Sequence, residues 1–158
     1  MSSTTRTVAL NAAFLQEIKE DNIELRRLLT EAGQLFDEVS LPLTPFKTVV
    51  DLLSELRDQL AMHFSLEEAY GYFDDAVNVA PRLSDVAAQL REDHEQLFNY
   101  VCDLVEQAER LLYQESTASA VQTIAQQFLA FRHRFQDHEY REDELILQSL
   151  DDDIGVGD

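Results

Sequence analysis

VQTIAQQFLAFRHRFQDHEYREDEL, residues 121–145, decides the fold of this chain. The apolar residues of this segment recur every three or four positions, so they lie along one face of a single α-helix. Read in order, that face is Val121, Ile124, Phe128, Phe131, Phe135, His138, Glu142 and Leu145. A histidine and a glutamate therefore point where the phenylalanines point. A carboxylate in an apolar interior is costly unless it is paired or binds a metal, so this face predicts a buried polar site.

Three earlier segments have the same helical period, and each is interrupted by polar residues at one level. Their faces read Leu15, Ile18, Asn22, Leu25, Leu29, Ala32, Phe36; then Phe46, Val49, Leu53, Leu56, Leu60, His63, Glu67, Tyr70; then Leu83, Ala87, Leu90, His94, Leu97, Val101, Leu104, Ala108, Leu111. With only four glycines, three prolines and no strand-like alternation, the pattern predicts an all-α protein. We expect an antiparallel, up-down-up-down four-helix bundle.

Capping residues, prolines and glycines between these faces predict where the helices begin and end. The first helix is expected from about residue 11 to 39, the second from 45 to 71, the third as far as 113 and the fourth from 117 to 150, with a frayed tail at 151–158. No linker or second domain is visible. Residues 1–158 are therefore interpreted as one domain whose core spans about residues 10–150.

Two HxxxE motifs carry the chemistry. They are His63-Phe-Ser-Leu-Glu67 and His138-Glu-Tyr-Arg-Glu142. This spacing places an imidazole and a carboxylate one helical turn apart on the same face, where both can reach one metal ion or two adjacent ones. The acidic residues next to them, Glu68 and Glu139, are expected about 100° round the helix and outside the site.

The chain also repeats itself. Lys19-Glu-Asp-Asn22 resembles Arg91-Glu-Asp-His94, and each of these segments is followed by one HxxxE motif. The sequence therefore predicts two similar helical hairpins related by a pseudo-twofold axis. Because the motifs are equally distant from the turn of each hairpin, all candidate ligands are expected near one cross-section of the bundle.

A lone polar position on the first and third helices, with HxxxE on the second and fourth, resembles the hemerythrin-like domain, also called the HHE cation-binding domain. The run from His63 to Glu68 is also similar to the HFxxEE run of bacterial hemerythrins. The resemblance implies a bundle holding a carboxylate-bridged di-iron centre. It further implies that the terminal ligands are His63, His94 and His138 and that the bridging carboxylates are Glu67 and Glu142.

The chain departs from this family pattern at Asn22, which stands where the first-helix histidine is expected. An amide oxygen is a poor iron ligand compared with imidazole, so one metal position is expected to be weak, completed by water or empty. Asn22 is either a weak ligand or a hydrogen-bonding group behind the ligands. Tyr70, one turn beyond Glu67, is either a core aromatic or a group that hydrogen-bonds a ligand.

Composition limits the class of function. The formal net charge of −19 argues against nucleic acid or an anionic membrane as a partner and favours cations. The single cysteine, Cys102, excludes an internal disulfide and any thiolate-rich metal site. No run of eighteen apolar residues and no signal-peptide pattern is present, so we expect a soluble, cytoplasmic protein. The sequence does not indicate an oligomeric state.

Two classes of function fit these observations. The first is a non-haem iron protein of the hemerythrin-like type that binds or senses O2, NO or peroxide at an open coordination position. The second is a structural or interaction bundle in which loss of the first histidine has abolished useful metal binding and the polar residues satisfy one another. Oxidase-like or peroxidase-like turnover is a third possibility, but no substrate pocket in the sequence favours it. A binding protein is therefore expected rather than an enzyme.

Overall fold

The structure is a computed structural model that describes residues 20–37, 45–69, 77–78, 80–114 and 118–157, with side chains as far as residue 149. Helix α1 covers residues 20–35 of this part. Helix α2 is Phe46–Ala69, a short 3-10 helix is Pro81–Leu83, α3 is Ser84–Leu112 and α4 is Ala118–Gly157. The described part contains no strand, which confirms the all-α prediction.

Contacts between α1 and α4 show that these helices run in opposite directions. Phe36, just after α1, stacks on Phe128 near the start of α4, with ring centroids 4.9 Å apart. At the other end of α1, Asn22 lines a cavity together with Glu139, which is eleven residues further along α4 than Phe128. Later residues of α1 therefore meet earlier residues of α4.

Helices α3 and α4 are antiparallel by the same criterion. The Tyr100 hydroxyl donates a hydrogen bond to the carbonyl of Gln127 at 3.0 Å. Earlier on α3, Asp93 accepts a hydrogen bond from Arg141, which lies later on α4. Helices α2 and α3 also pack against each other. The predicted four-helix bundle is confirmed, and the directions of the α1–α4 and α3–α4 pairs agree with the expected antiparallel order.

The buried apolar residues form two clusters. The larger one fills most of the bundle and includes Leu56, Leu104 and Phe131. The smaller one closes one end of the bundle and consists of Ala80, Leu83, Ala87, Leu90 and Leu145. The buried polar residues lie between the two clusters along the chain, since His94 falls between Leu90 and Leu97. The candidate site is therefore a polar layer with apolar packing on both sides, which limits access of bulk water.

The first helix faces the core in a slightly different register from the predicted one. Its fully buried positions are Asp21, Leu25, Leu28, Ala32 and Phe36. Asn22 and Leu29, which the periodicity placed on the buried face, are half-buried instead. The buried face of α1 is therefore rotated slightly about the helix axis relative to the predicted one. Asp21 occupies the buried position at the level of the site where Asn22 was expected.

The ends of α2, the end of α3 and the start of α4 agree with the predicted positions to within two residues. Helix α1 ends at residue 35, four residues before the expected end near 39, and its expected start near residue 11 lies outside the described residues. The C-terminus also differs. There α4 continues to Gly157, whereas we expected it to end near residue 150. Asp151–Ile154 contain no glycine or proline to stop a helix, so the backbone extends the last turns of α4. Asn11, Thr44, Tyr70 and Gly71 lie outside the described residues. Within the described helices, none is sufficiently long and apolar to cross a bilayer.

Candidate metal centre

Three helices bring four ligand-type residues together. Glu67 from α2, His94 from α3, and His138 and Glu142 from α4 each offer one nitrogen or oxygen atom, and these atoms all lie within 4.8 Å of one another. All four side chains are buried; His138 is only 1% exposed and His94 only 3%. One metal ion bound by several ligands needs this spacing. We call the space between these four residues the second position.

His63 contacts one of these two glutamates and shares a cavity with both. Its Nε2 atom is 2.8 Å from Oε1 of Glu67, and its side chain is buried. His63, Glu67 and Glu142 line one small cavity together with Asn22. We call the space beside His63 the first position. The structure thus brings all five predicted ligands to one level, while ligation itself stays a prediction.

The cavity at the first position is small and crowded with acidic residues. Its volume is about 100 Å³. Five carboxylate residues line it, namely Asp21, Glu67, Glu139, Glu142 and Asp143, whereas Arg26 is its one arginine. Burial raises the pKa of both Glu139 and Asp143, with the charge of Glu142 adding to the effect. A bound cation would relieve this concentration of negative charge.

Each of the three imidazoles has a carboxylate at its Nδ1 atom. Nδ1 of His63 is 2.6 Å from Oδ2 of Asp21, and Nδ1 of His138 is 3.3 Å from Oδ2 of Asp93. Nδ1 of His94 is 3.3 Å from Oε1 of Glu68. A carboxylate can only accept, so each Nδ1 carries the proton and donates it. The Nε2 atoms are then left to face the site, as in metal-bound histidines generally.

Further side chains hold two of these carboxylates in place. The Gln59 amide donates a hydrogen bond to Oδ1 of Asp21 at 2.7 Å. The Arg141 guanidinium donates to Oδ2 of Asp93 at 2.6 Å. In each hairpin, an aspartate thus accepts one hydrogen bond from a histidine and another from a second side chain. That second donor is the neutral amide of Gln59 for Asp21 and the guanidinium cation of Arg141 for Asp93.

Several buried ligand atoms lack hydrogen-bond partners. Among the described residues these include Nε2 of His63, Nε2 of His138 and Oε2 of Glu67. The Nε2 atom of His63 lies close to Glu67 and that of His138 close to Glu142, but neither contact is aligned as a hydrogen bond. Buried polar atoms are almost always paired in folded proteins, because an unpaired one costs about 1–3 kcal/mol. Atoms that converge without bonding to one another fit a shared cation between them.

Without a metal, the site holds its protons tightly. Burial by itself lowers the pKa of His63, but the hydrogen bond to Asp21 and the negative charges of Asp21 and Glu67 outweigh burial and raise the pKa to about 10. For His94 burial is likewise outweighed, by Glu142 and Glu67, and the pKa rises to about 9. The imidazoles that face the glutamates lower the pKa of Glu67 against the opposing effect of burial. Metal binding near neutral pH must therefore displace protons from the imidazoles.

Aromatic rings pack against the imidazoles. The Phe64 ring stacks on the His94 ring at 4.1 Å between centroids and meets His138 edge-on at 6.0 Å. Phe135 meets the His63 ring edge-on at 6.0 Å. These contacts fix the ring planes, so the site residues are held before any ligand arrives.

The aspartates that accept hydrogen bonds from the Nδ1 atoms of the histidines were not predicted from the sequence. Asp21 and Asp93 occupy equivalent places in the repeated segments, each directly before the lone polar position, so the repeat itself was the signal that could have identified them. Glu68 was expected to be outside the site; its side chain is exposed, yet its carboxylate reaches back to His94. Glu139 is half-buried and lines the cavity at the first position.

The remaining residues noted in the sequence lie away from the centre or outside the described part. His133 is exposed, as expected from its place off the helical face, and Cys102 is a half-buried free cysteine. Tyr70 lies outside the described residues. Asn22 is half-buried at the rim of the first position.

Comparison with known protein families agrees with this geometry. The chain matches the hemerythrin HHE cation binding domain over residues 13–150, and it therefore belongs to that family. Comparisons with curated proteins and with solved structures find no match. The family assignment and the buried cluster of histidines and glutamates together define a hemerythrin-like domain with a site compatible with metal binding.

Proposed function

We propose that this protein binds iron at the buried centre and uses it to bind or sense a small ligand such as O2, NO or peroxide. The observation that carries the proposal is the convergence of Glu67, His94, His138 and Glu142 within 4.8 Å, together with orphaned ligand atoms in a buried layer. Imidazole and carboxylate together suit iron in proteins. Membership of a cation-binding family supports the same conclusion.

Each of these residues would have a separate role at such a centre. His94 and His138 would hold a metal ion at the second position, His63 would hold one at the first, and Glu67 and Glu142 lie between the two. Iron would supply a redox-active centre with an open coordination position for a diatomic ligand or peroxide. The carboxylates accept the Nδ1–H hydrogen bonds and so orient each imidazole, leaving its Nε2 atom to bind the metal once the proton there is displaced.

The size of the cavity limits the ligand. A volume of about 100 Å³ at the first position admits water or a diatomic molecule but not an organic substrate of ordinary size. The apolar clusters on both sides of the polar layer keep bulk water from the centre. The structure therefore favours binding or sensing over turnover of a large substrate.

Anaerobic loading with ferrous iron tests the proposal. Protein depleted of metal with a chelator, then incubated with ferrous iron and desalted, is expected to retain between one and two iron ions per chain by elemental analysis. Exposure to O2 or peroxide should then produce the near-ultraviolet absorption of an oxidised iron centre. Glu142→Gln should retain less iron, whereas Glu144→Gln, on the same helix beside it, should match the parent protein.

A metal-free structural bundle is the competing interpretation. It requires the polar layer to satisfy itself, but the unpaired Nε2 atoms of His63 and His138 argue against this. Folded protein that takes up no ferrous iron under the loading conditions would establish the structural interpretation and refute the iron proposal.

A further inference from the structure

The two metal positions differ in their ligand supply. The second position has two imidazoles, from His94 and His138, whereas the first has only His63 because Asn22 replaces the expected histidine. The Nε2 atom of His63 is buried and has no hydrogen-bond partner among the described residues. This unpaired nitrogen indicates that a cation also belongs at the first position, which must then be completed by some group other than an imidazole.

Glu139 is placed to complete it. It follows His138 on α4 and lines the same cavity as His63 and Asn22. The Glu139 side chain is half-buried. Asp21 also lines the cavity, but its two oxygens already accept hydrogen bonds from His63 and Gln59.

We propose that Glu139 is a metal ligand at the first position and takes the place of the imidazole that Asn22 cannot supply. This proposal rests on the proposed metal centre and names one further ligand of it. The first position then has one nitrogen ligand and several carboxylate oxygens, whereas the second has two nitrogens. Because oxygen-rich sites suit harder cations such as Mn²⁺ and imidazole suits iron, the relative affinity for Mn²⁺ is higher at the first position.

The test is a metal titration of the full chain with three variants. Glu139→Gln removes the ligand charge with little change of shape, and Glu144→Gln is the matched control because it makes the same change on α4 at a residue that does not line this cavity. Asn22→His combined with Glu139→Gln restores an imidazole to the first helix. Binding of Mn²⁺ is followed by loss of the electron paramagnetic resonance signal of the free ion, and circular dichroism shows that each variant is folded.

The parent chain is expected to bind two Mn²⁺ ions. Glu139→Gln should keep one and bind the other at least about tenfold more weakly, since loss of even an indirect ligand contact typically costs 10–100-fold. Glu144→Gln should change either affinity by less than threefold. The double variant should regain the second ion.

Other outcomes separate this inference from the proposed function. Two ions bound with unchanged affinity by Glu139→Gln, or equal losses in Glu139→Gln and Glu144→Gln, would overturn the role of Glu139 while leaving the metal centre intact. A parent chain that binds only one ion would also overturn it. A parent chain that binds neither Mn²⁺ nor ferrous iron would refute the metal centre as a whole.

Discussion

At the scale of single residues, the two aspartates behind the histidines are not equivalent. His63 and Asp21 are 2.6 Å apart, whereas His138 and Asp93 are 3.3 Å apart. Asp21 is buried and receives its other hydrogen bond from a neutral amide, whereas Asp93 is partly exposed and shares its oxygen with Arg141. A charge-assisted hydrogen bond is stronger when short and buried. Asp21 should therefore hold His63, the imidazole of the first position, in place more firmly than Asp93 holds His138.

Asp21→Asn and Asp93→Asn are predicted to weaken different metal positions. Each change removes the charge that orients one imidazole, so the affinity of its own position should fall by about 10–100-fold. Asp21→Asn should have the larger effect, because no second imidazole supports the first position. Competition with a chromogenic chelator measures both affinities.

Asp58→Asn is a suitable control for these variants, since Asp58 is an exposed α2 residue paired only with its neighbour Arg57 among the described contacts. Equal losses in Asp58→Asn would show that net charge alone controls affinity. An unchanged affinity in Asp21→Asn would show that the 2.6 Å contact does not orient a metal ligand.

Asn22→His in the otherwise unchanged chain is predicted to raise iron occupancy at the first position. Asn22 already lines the cavity beside His63, so an imidazole there needs only a short reach to the centre. A second nitrogen ligand should raise the iron affinity of this position by at least about 10–100-fold, the amount by which loss of a residue that only orients a ligand typically lowers metal affinity. Iron titration followed by the absorption of an oxo-bridged pair measures the gain. No gain over the parent protein would mean that residue 22 does not face the metal.

At the scale of the helices, most of the site was predictable and the first helix was not. The faces of α2, α3 and α4 carry long runs of large apolar residues, and only one rotation of each helix buries them all. The first helix is less constrained: Asn22 and Leu29 fit a helical period as well as Asp21 and Leu28 do. Both patterns share Leu25, so periodicity alone cannot choose between them.

Packing of α1 against α4 decided the register. The chain approaches closely at Gly33, where an added Cβ atom would lie 2.5 Å from Nη1 of Arg132. The hydrogen bonds that Gln59 and His63 donate to Asp21 fix the other end. These contacts join residues far apart in sequence. For that reason single-sequence reasoning identified the ligands on three helices but missed the aspartates behind them.

Gly33→Ala is predicted to stabilise the protein slightly. Glycine in a helix interior is about 0.8–1.0 kcal/mol less favourable than alanine. Among the described residues, the obstacle within van der Waals reach of that Cβ atom is the end of the flexible Arg132 side chain, which can move. We expect a gain below about 1 kcal/mol, or a melting temperature higher by about 2–4 °C at most. Thermal unfolding by circular dichroism measures it; a loss of stability would show that Arg132 is held firmly at this contact.

At the scale of the whole molecule, the acidic surface and the buried centre act together. The chain carries a net charge of −19, and five acidic residues surround the first position. Such a field attracts cations and also holds protons on buried imidazoles. Metal ions and protons therefore compete for the same nitrogens.

This competition gives a predicted pH dependence with a definite sign. In the metal-free protein the pKa of His63 is about 10 and that of His94 about 9, both above the ordinary value of about 6.5. A group whose pKa is raised on folding stabilises the fold fully below its unfolded pKa and loses that contribution as the pH rises through the folded one. The metal-free protein should therefore lose stability between about pH 6.5 and 10.

The metal-loaded protein should behave differently, because its imidazoles are already deprotonated and bound. Its melting temperature relative to that of the metal-free protein is predicted to rise as the pH increases from 6.5 to 8.5, since fewer protons compete with the metal at higher pH. Scanning calorimetry of desalted loaded protein and of chelator-treated protein, in the same non-chelating buffers, measures this difference. His133→Gln is the control, because His133 is exposed and should leave the difference unchanged. A difference that shrinks or stays constant with rising pH would mean that the bound metal does not replace protons on His63 and His94, and the ligand assignment of both would be wrong.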